Sequence, residues 1–133
     1  MTQVAQIVAR ALRTLRILDA GEAAEAMDMQ TAISALNAMM RRWEANGLRL
    51  NWVDVSGPED VMPTPPAAEQ AICANLAISL RPEYGAPLEQ DVLEAATNGL
   101  NELRRDAYVA NPITVRLNLP RCGHYDILTD EVS

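Results

Sequence analysis

Hydrophobic positions recur every three or four residues along four separate stretches of the chain, which predicts four helices. The predicted helices span about 3–18, 22–46, 66–81 and 88–109, the second beginning at some point within 22–28. The pattern therefore predicts an all-α fold, a small four-helix bundle with a long loop between helices 2 and 3 and an extended C-terminal arm. We expect the helical bundle domain to occupy residues 1–110 and the arm residues 111–133.

The third predicted helix is the most apolar and is expected to lie at the centre of the bundle. No charged residue occurs between Glu69 and Arg81, and a helix that is apolar on most of its circumference is usually buried. The Arg81-Pro82 pair predicts its end, because the residue before a proline is disfavoured in the α region. The predicted core includes residues of the second and third helices: Leu36, Met40, Trp43, Ile72, Leu76 and Leu80.

Two residues at unusual positions predict how the last two helices pack. Asn75 is a polar residue inside the apolar helix, and we expect it either to fix the packing register or to bond to a neighbouring backbone. Gly99 lies inside the fourth helix and is expected to permit a close crossing.

The segment between the second and third helices predicts a short strand followed by a surface loop. Leu48, Leu50 and Trp52 alternate with other residues, and five prolines and glycines follow in 57–66. Loops of this length are often functional. Trp52 is a candidate interface residue, and two interpretations stand open: it is tucked beneath the loop, or it is exposed to a partner.

The clearest strand pattern lies in the C-terminal arm, where apolar residues alternate with polar ones over 113–119. A strand without an evident partner strand is an edge that can pair with another chain. We therefore expect the arm to bind a partner through apolar, basic and aromatic residues: Ile113, Val115, Arg116, Leu117, Leu119, Arg121 and Tyr125.

Basic residues also mark one side of the first helix. Arg10, Arg13 and Arg16 form either a solvated face that pairs with nearby acids or a candidate interface for an acidic partner surface. The chain as a whole has a net charge of −7, which argues against a protein that reads nucleic-acid sequence through a basic patch. An acidic wall past which DNA slides is not excluded, since it does not hold phosphates.

Composition limits the class of protein further. Phe is absent and there are only two Trp and three Tyr, so the core must be aliphatic and rich in alanine, which favours helices. The cysteines Cys73 and Cys122 are far apart and no secretory signal is evident, which indicates a reducing intracellular setting during synthesis. No apolar run approaches the roughly 20 residues that a membrane span needs.

The chain shows no catalytic motif, and we expect a protein without enzymatic activity or cofactor. It has no Gly-rich phosphate loop, nucleophile elbow or HExxH pair. Cys122, His124 and Asp126 are spaced to share one face of a strand, but this supplies only part of a zinc site, which needs four ligands. Composition and spacing alone favour an interaction protein.

Two segments resemble a known family. Residues 36–48, LNAMMRRWEANGL, resemble the pattern L-x-x-M-M-x-x-W-x-x-x-G-[IL], and residues 75–84, NLAISLRPEY, resemble N-L-A-x-x-[IL]-x-P-[DE]-Y. In this order and at this separation they resemble head-to-tail adaptor proteins of tailed bacteriophages, in particular the tail accessory, or packaged-DNA stabilisation, proteins of short-tailed phages. The first helix, with VARAL at 8–12, fits the start of that family, and the resemblance covers about 4–107.

The resemblance implies a structural protein of the virion, made in the host bacterial cytoplasm and located at the head–tail junction. Family members form a ring, typically a dodecamer, beneath the portal. The ring extends the DNA channel, helps to retain the packaged genome and docks the next tail component. The implied partners are the portal ring, copies of the same chain and a downstream tail protein. Double-stranded DNA passes through without sequence-specific binding, and no membrane is involved.

Two other functions remain open from the sequence. The first is a regulatory helical module that binds a partner helix through the methionine-rich face of the second helix, Met29 to Trp43. The second is a cell-wall hydrolase that uses acids such as Glu59 and Asp60, one of which would need a raised pKa.

Overall fold

The computed structural model of the chain is a bundle of four α-helices, which confirms the predicted all-α fold. The helices are α1 (Val4–Thr14), α2 (Ala26–Ala45), α3 (Glu69–Tyr84) and α4 (Gln90–Ala110), with a 3₁₀ turn at Pro66–Ala68 before α3. The structure describes residues 1–110, with backbone alone at 108–110, and the backbone of two short strands. These are β1 (Tyr125–Asp126) and β2 (Glu131–Val132), which pair antiparallel with Tyr125 opposite Val132.

Helix α3 lies at the centre of the bundle, as its apolar sequence predicts, and it contacts each of the other three helices. Ile72, Leu76 and Leu80 have no exposed surface. Each such side chain contributes about 1.5–3 kcal/mol through burial. The remaining predicted core residues, which lie on α2, are also buried: Leu36, Met40 and Trp43. Helix α1 adds a buried stripe of its own: Val4, Ile7, Val8, Ala11 and Leu12.

Helices α1 and α3 run in one direction and α2 and α4 in the other. The Thr2 hydroxyl donates to Glu69 at 2.9 Å, which brings the starts of α1 and α3 together. The Tyr84 hydroxyl donates to Asp28 at 2.9 Å, which joins the end of α3 to the start of α2. Arg16, just after α1, pairs with Glu89, just before α4, so α4 begins where α1 ends. The C-terminal ends of α2 and α4 therefore lie at the same end of the bundle.

The crossing of α3 and α4 is very close, as Gly99 predicts. A Cβ atom added at Gly99 would lie 2.7 Å from the Cβ of Ala71, which is nearer than side-chain carbons approach each other. One helical turn away, the Asn75 amide nitrogen donates to the carbonyl of Ala71 at 2.8 Å and to that of Ala96 at 3.1 Å. Asn75 thus bonds to the backbone of both helices, which confirms the expected bond to a neighbouring backbone, whereas its role in fixing the register stays a prediction.

The predicted end of α3 at Arg81 is wrong, because Pro82 lies inside the helix and the helix continues to Tyr84. Proline in the last turn removes only the bond to the Ile78 carbonyl. Gly85 then stops the helix in the left-handed conformation, with φ 60°. The Tyr84 bond to Asp28 holds this turn in place, so a tertiary contact overrides the local preference.

Helix α1 is shorter than predicted and ends at Thr14 instead of residue 18. Arg16 adopts a left-handed backbone with φ 59°, which breaks the helical path. The turn lets the Ile17 N–H donate to the Leu12 carbonyl at 3.1 Å and leaves Leu18 buried. The apolar repeat predicted a longer helix because Leu18 is a core residue. The turn brings Leu18 into the core without a helix.

The predicted strand over residues 48–53 is not formed, since none of 46–60 is in a strand. Asn51 has a left-handed backbone, φ 56°, which interrupts an extended path. Side chains of α2 take the place of a partner strand. The Asn37 side chain accepts the Val55 N–H at 3.1 Å and donates to the Val55 carbonyl at 2.9 Å. The Glu44 carboxylate accepts the Trp52 N–H at 2.7 Å.

The same α2–α3 loop, residues 46–65, caps the start of α1. The Val4 N–H donates to the Asp60 carbonyl at 2.9 Å and the Ala5 N–H to the Pro58 carbonyl at 3.0 Å. Two of the N–H groups that lack a partner at the start of a helix are satisfied in this way. The loop is consequently a structural part of the bundle.

The carboxylate of Asp60 shapes the turn that carries these carbonyls. It accepts the Ser56 N–H at 2.8 Å, the Ser56 hydroxyl at 3.1 Å and the Gly57 N–H at 3.0 Å. These bonds, chiefly that from the Ser56 backbone, lower the pKa of Asp60 because they stabilise its charged form.

We expect Gly99→Ala to destabilise the protein by about 1–3 kcal/mol, because the added methyl group overpacks the crossing. Helix propensity alone would favour alanine by about 1 kcal/mol, so a net loss identifies the close contact. Urea unfolding measures both the single variant and Gly99→Ala combined with Ala71→Gly. The second change removes the opposing methyl group and should recover part of the loss. Wild-type stability of the single variant would contradict the crossing.

The lowered pKa of Asp60 predicts an acid-dependent contribution to stability. Since the folded pKa is below the unfolded value of about 3.9, the contribution is complete above that value and is lost as the pH falls through the folded pKa. Asp60→Asn should therefore melt below the wild type at pH 7, and the difference should shrink below pH 4. Thermal melts from pH 7 to pH 2 test this, with Glu59→Gln as the neighbouring control. A difference that is constant over the range would contradict the assignment.

Candidate interaction surfaces

The three arginines of the first predicted helix are exposed but do not form one surface. Arg16 pairs with Glu89 at 3.0 Å and joins the end of α1 to the start of α4. Arg10 borders a groove between α1 and α4, and Arg13 lies beside the loop that leads to α2. The solvated, acid-paired interpretation therefore describes Arg16, and its 80 % exposed side chain makes this a weak contact.

Trp52 is tucked beneath the loop and is not exposed to a partner, so the first of the two predicted alternatives is correct. It is only 9 % exposed and belongs to the main hydrophobic cluster. Its indole N–H donates to Asp54 at 3.2 Å, and Asp54 in turn pairs with Arg41 of α2. The Arg41 hydrogen bond lowers the pKa of Asp54. The prediction of Trp52 as an interface residue is therefore corrected. A side chain buried in its own subunit has little surface left for a partner.

The arm residues predicted to bind a partner lie outside the residues whose side chains the structure describes. They are Ile113, Val115, Arg116, Leu117, Leu119, Arg121 and Tyr125, of which Tyr125 is described as backbone only, in β1. Cys122 and His124 of the partial metal set lie outside as well. Their roles stay predictions.

A long groove runs along α4 over α3, and α1 borders it only near the start of α4, at Arg10 and Thr14. We call it the α1/α4 groove. Its two adjoining parts, of about 360 and 200 Å³, share Gln70 and Ala95. It follows α4 from Asp91 to Asp106, which is about 22 Å at 1.5 Å per residue.

The lining of the α1/α4 groove combines small side chains with carboxylates. Ala67, Ala71 and Gly99 are small residues that line its larger part. Glu102 and Asp106, one helical turn apart on α4, make one end acidic, and both are exposed. This end therefore suits a positively charged group on a partner.

A second surface is the side of α2 that faces away from the core, which we call the outer α2 face. Its residues are exposed and lie opposite the buried stripe of Ile33, Leu36 and Met40. They are mostly small or polar, with an apolar residue at one end and a basic one towards the other: Met27, Gln30, Ser34, Ala38, Arg42 and Ala45. Met27 is 79 % exposed, more than any other large hydrophobic residue of the described part except the terminal Met1.

Residues of the two family-like segments do structural work within the subunit. Met40 and Trp43 of the first segment are buried, and Asn75 of the second bonds α3 to α4. Tyr84 closes the second segment and bonds to Asp28. Burial, followed by this hydrogen bond and nearby acids, raises the pKa of Tyr84 to about 12, so its hydroxyl remains a donor at neutral pH.

The chemistry of the described residues gives no support to a metal or nucleophile site. Within residues 1–107 no cluster of His, Cys, Asp and Glu is arranged to hold a metal ion. Burial raises the pKa of the Cys73 thiol, which makes it a poor nucleophile and fits a small core residue. None of the described helices has the length and hydrophobicity to cross a bilayer.

The acids proposed for a hydrolase do not form a catalytic pair. The pKa of Asp60 is lowered, whereas a general acid needs a raised one. Its carboxylate is already engaged by the backbone of Ser56 and Gly57. These bonds explain Asp60 as a turn residue.

Sequence reasoning missed both the α1/α4 groove and the outer α2 face as surfaces. The spacing of Glu102 and Asp106 marks an acidic side of α4, but only the packing of α4 on α3 makes a groove there. The outer α2 face was present as the polar side of an amphipathic helix, and nothing in the pattern distinguishes it from ordinary solvated surface.

Comparison with known proteins agrees with the resemblance of the two segments. No individual curated protein matches the chain. The family described as P22 tail accessory factor matches residues 1–131, which include the bundle and almost all of the arm. The chain therefore belongs to the P22 tail accessory factor family and is a structural protein of a bacteriophage tail.

Proposed function

We propose that the protein is a head-to-tail connector that forms a ring, most simply a dodecamer, beneath the portal. The ring extends the DNA channel, helps to retain the packaged genome and presents a platform for the next tail protein. The observation that carries this proposal is the family match over residues 1–131. The subunit would act at the head–tail junction of the virion after synthesis in the host cytoplasm.

The charge of the chain supports a position around a DNA channel. A net charge of −7 repels the phosphate backbone, so DNA can move past the ring without being held. No sequence-specific contact is needed for this role. The structural role requires no cofactor and no catalysis, which agrees with the environments of Cys73 and Asp60.

The arm, residues 111–133, is the part of the chain that we assign to binding the portal or a neighbouring subunit. Among the residues whose side chains are described, the buried ones run from Val4 to Leu103 and include side chains from all four helices. The alternating residues 113–119 suit addition to the edge of a partner sheet, where backbone hydrogen bonds supply affinity. Arg116 and Arg121 add positive charge to this segment.

The methionine-rich face of the second helix lends little support to a regulatory module. Met40 is fully buried and Trp43 is 8 % exposed, so most of the stripe is core. Met39 is half-buried and its sulfur lies 3.9 Å from the Ser79 hydroxyl of α3. A partner helix could reach Met40 and Trp43 only by opening the bundle.

Native mass spectrometry of the purified protein, alone and mixed with its portal ring, tests the connector role. We expect a monomer or weak oligomer alone and one ring's worth of copies on the portal, because ring formation would depend on the portal as a template. A discrete small oligomer that ignores the portal would contradict the proposal.

Deletion of residues 112–133 should leave the helical circular dichroism nearly unchanged and abolish binding to the portal ring. A finer test compares Leu117→Asp with Asn118→Asp, since adjacent residues of a strand face opposite sides. We expect the first change to weaken binding and the second to be tolerated. Equal binding by the truncated chain, or a large loss of helicity, would contradict the division into bundle and arm.

A further inference from the structure

We propose that in the free subunit the arm folds back onto the bundle and lies along the α1/α4 groove of its own subunit. The occupant is the alternating segment 113–119, whose Arg116 pairs with Glu102 and Asp106 at the acidic end of the groove. The arm is also the segment assigned above to the portal, so the consequence for assembly rests on the proposed function. The portal must then displace the arm from the groove before the subunit joins the ring.

The arm begins at the acidic end of the groove. Helix α4 ends at Ala110, one helical turn beyond Asp106, and the groove extends from Asp106 back towards the start of α4. The pair Asn111-Pro112 follows at once. A proline disfavours continuation of the helix, and Asn-Pro pairs favour turns, so the chain can reverse its direction here. A reversed chain enters the groove from this end and runs antiparallel to α4.

The length of the alternating segment matches the length of the groove. In an extended conformation, residues 113–119 span about 20 Å at 3.3 Å per residue. The groove measures about 22 Å along α4. Its larger part has a volume of about 360 Å³ and is lined in part by small residues, which leaves room for the apolar side chains of the segment: Ala67, Ala71, Ala95 and Gly99.

The charges of the arm and of the groove are complementary. Residues 111–125 contain two arginines and no carboxylate. Glu102 and Asp106 are exposed, and neither of them pairs with an arginine within residues 1–107. Arg116 lies about 10 Å along the extended segment from Ile113, and Glu102 lies about 6 Å along α4 from Asp106. The long arginine side chain can span this difference.

The short connection between α4 and the segment favours the subunit's own groove over that of another copy. Only residues 111 and 112 separate the end of α4 from the segment. A short tether keeps a binding segment at an effective concentration in the millimolar range, whereas free subunits at micromolar concentration offer a neighbour's arm at about a thousandfold lower concentration. The occupant of the groove is therefore the arm of the same chain.

Docking of the arm has a consequence for the proposed connector. An apolar strand without a partner strand is prone to pair with other chains and to aggregate. The groove covers the apolar side chains of 113–119 while the subunit is free. Because the portal and the groove compete for the same segment, the arm is exposed for binding only where the portal is present.

The spacing along the arm and along α4 identifies two residues that the docking brings level. Leu117 lies about 13 Å along the extended segment from Ile113. Asn98 lies about 12 Å along α4 from Asp106 and lines the groove. A disulfide between positions 98 and 117 therefore tests the docking in the free protein.

The test chain carries Asn98→Cys and Leu117→Cys, with Cys73→Ala and Cys122→Ser to remove the natural thiols. The matched control has Thr97→Cys in place of Asn98→Cys, because Thr97 is an exposed neighbour that does not line the groove. Thermal melts show whether each chain folds. Intact mass spectrometry measures the disulfide as the loss of two hydrogens and separates monomers from linked dimers.

Mild oxidation of dilute protein should close the disulfide in the test chain about ten times faster or more than in the control, because the groove holds position 117 beside position 98. Equal rates in the two chains would overturn the docking. A disulfide that links two chains would assign the groove to the arm of a neighbour, and this result would overturn it as well.

Charge reversal in the test chain examines the pairing of Arg116. Glu102→Arg with Asp106→Arg should lower the rate of disulfide formation towards that of the control, because like charges then meet. A further Arg116→Glu change restores opposite charges and should recover the rate. Glu94→Arg, at an exposed position of α4 outside the groove, should have no effect. An unchanged rate after the reversal, or no recovery, would overturn the pairing.

Binding to the portal ring separates this inference from the proposed function. The oxidised test chain should need an about tenfold or higher concentration to bind the portal, and a reductant should restore binding, since the disulfide holds the arm in the groove. Equal binding by the oxidised and reduced chains would overturn the competition between groove and portal. If neither the reduced chain nor the wild type binds the portal, the proposed function fails, while the rate of disulfide formation in the free protein still decides the docking.

Discussion

The close approach of α3 and α4 at Ala71 and Gly99 is the constraint on which the bundle depends. It brings two backbones within reach of a single side chain, and Asn75 uses that proximity to bond to carbonyls of both helices. Because α3 also contacts α1 and α2, the register set at this crossing is passed to the whole core. The small residues that permit the crossing also form the floor of the α1/α4 groove, so one feature serves both the fold and the surface.

The loop between α2 and α3 shows how an irregular segment can be held without a sheet. Asn37 and Glu44 of α2 satisfy backbone groups of Val55 and Trp52 that a partner strand would otherwise satisfy. Buried and half-buried backbone groups need such partners. The loop in turn caps α1, since carbonyls of the loop accept the first N–H groups of that helix. A loop fixed at both sides gives the subunit a rigid body, which loses little entropy on assembly.

The family assignment and the physical features point in the same direction. The connector proposed above would need a stable bundle, an exterior that does not hold phosphates and surfaces for protein partners. The core supplies the first, and the net charge of −7 supplies the second. The groove, the outer α2 face and the arm are candidates for the third. The residues of the family-like segments, among them Trp43 and Tyr84, maintain the body on which those surfaces are displayed.

The sequence by itself determined the number and order of the helices, the central position of α3 and the core residues such as Leu76, because periodic burial is written directly into the spacing of apolar residues. It also identified the family through two short segments. Tertiary structure decided what depends on distant partners. Pro82 stays helical because Tyr84 reaches Asp28, and Trp52 is buried without a strand because α2 supplies the hydrogen bonds. The groove exists only because α4 packs on α3 beside α1, a relation between segments that local spacing does not contain.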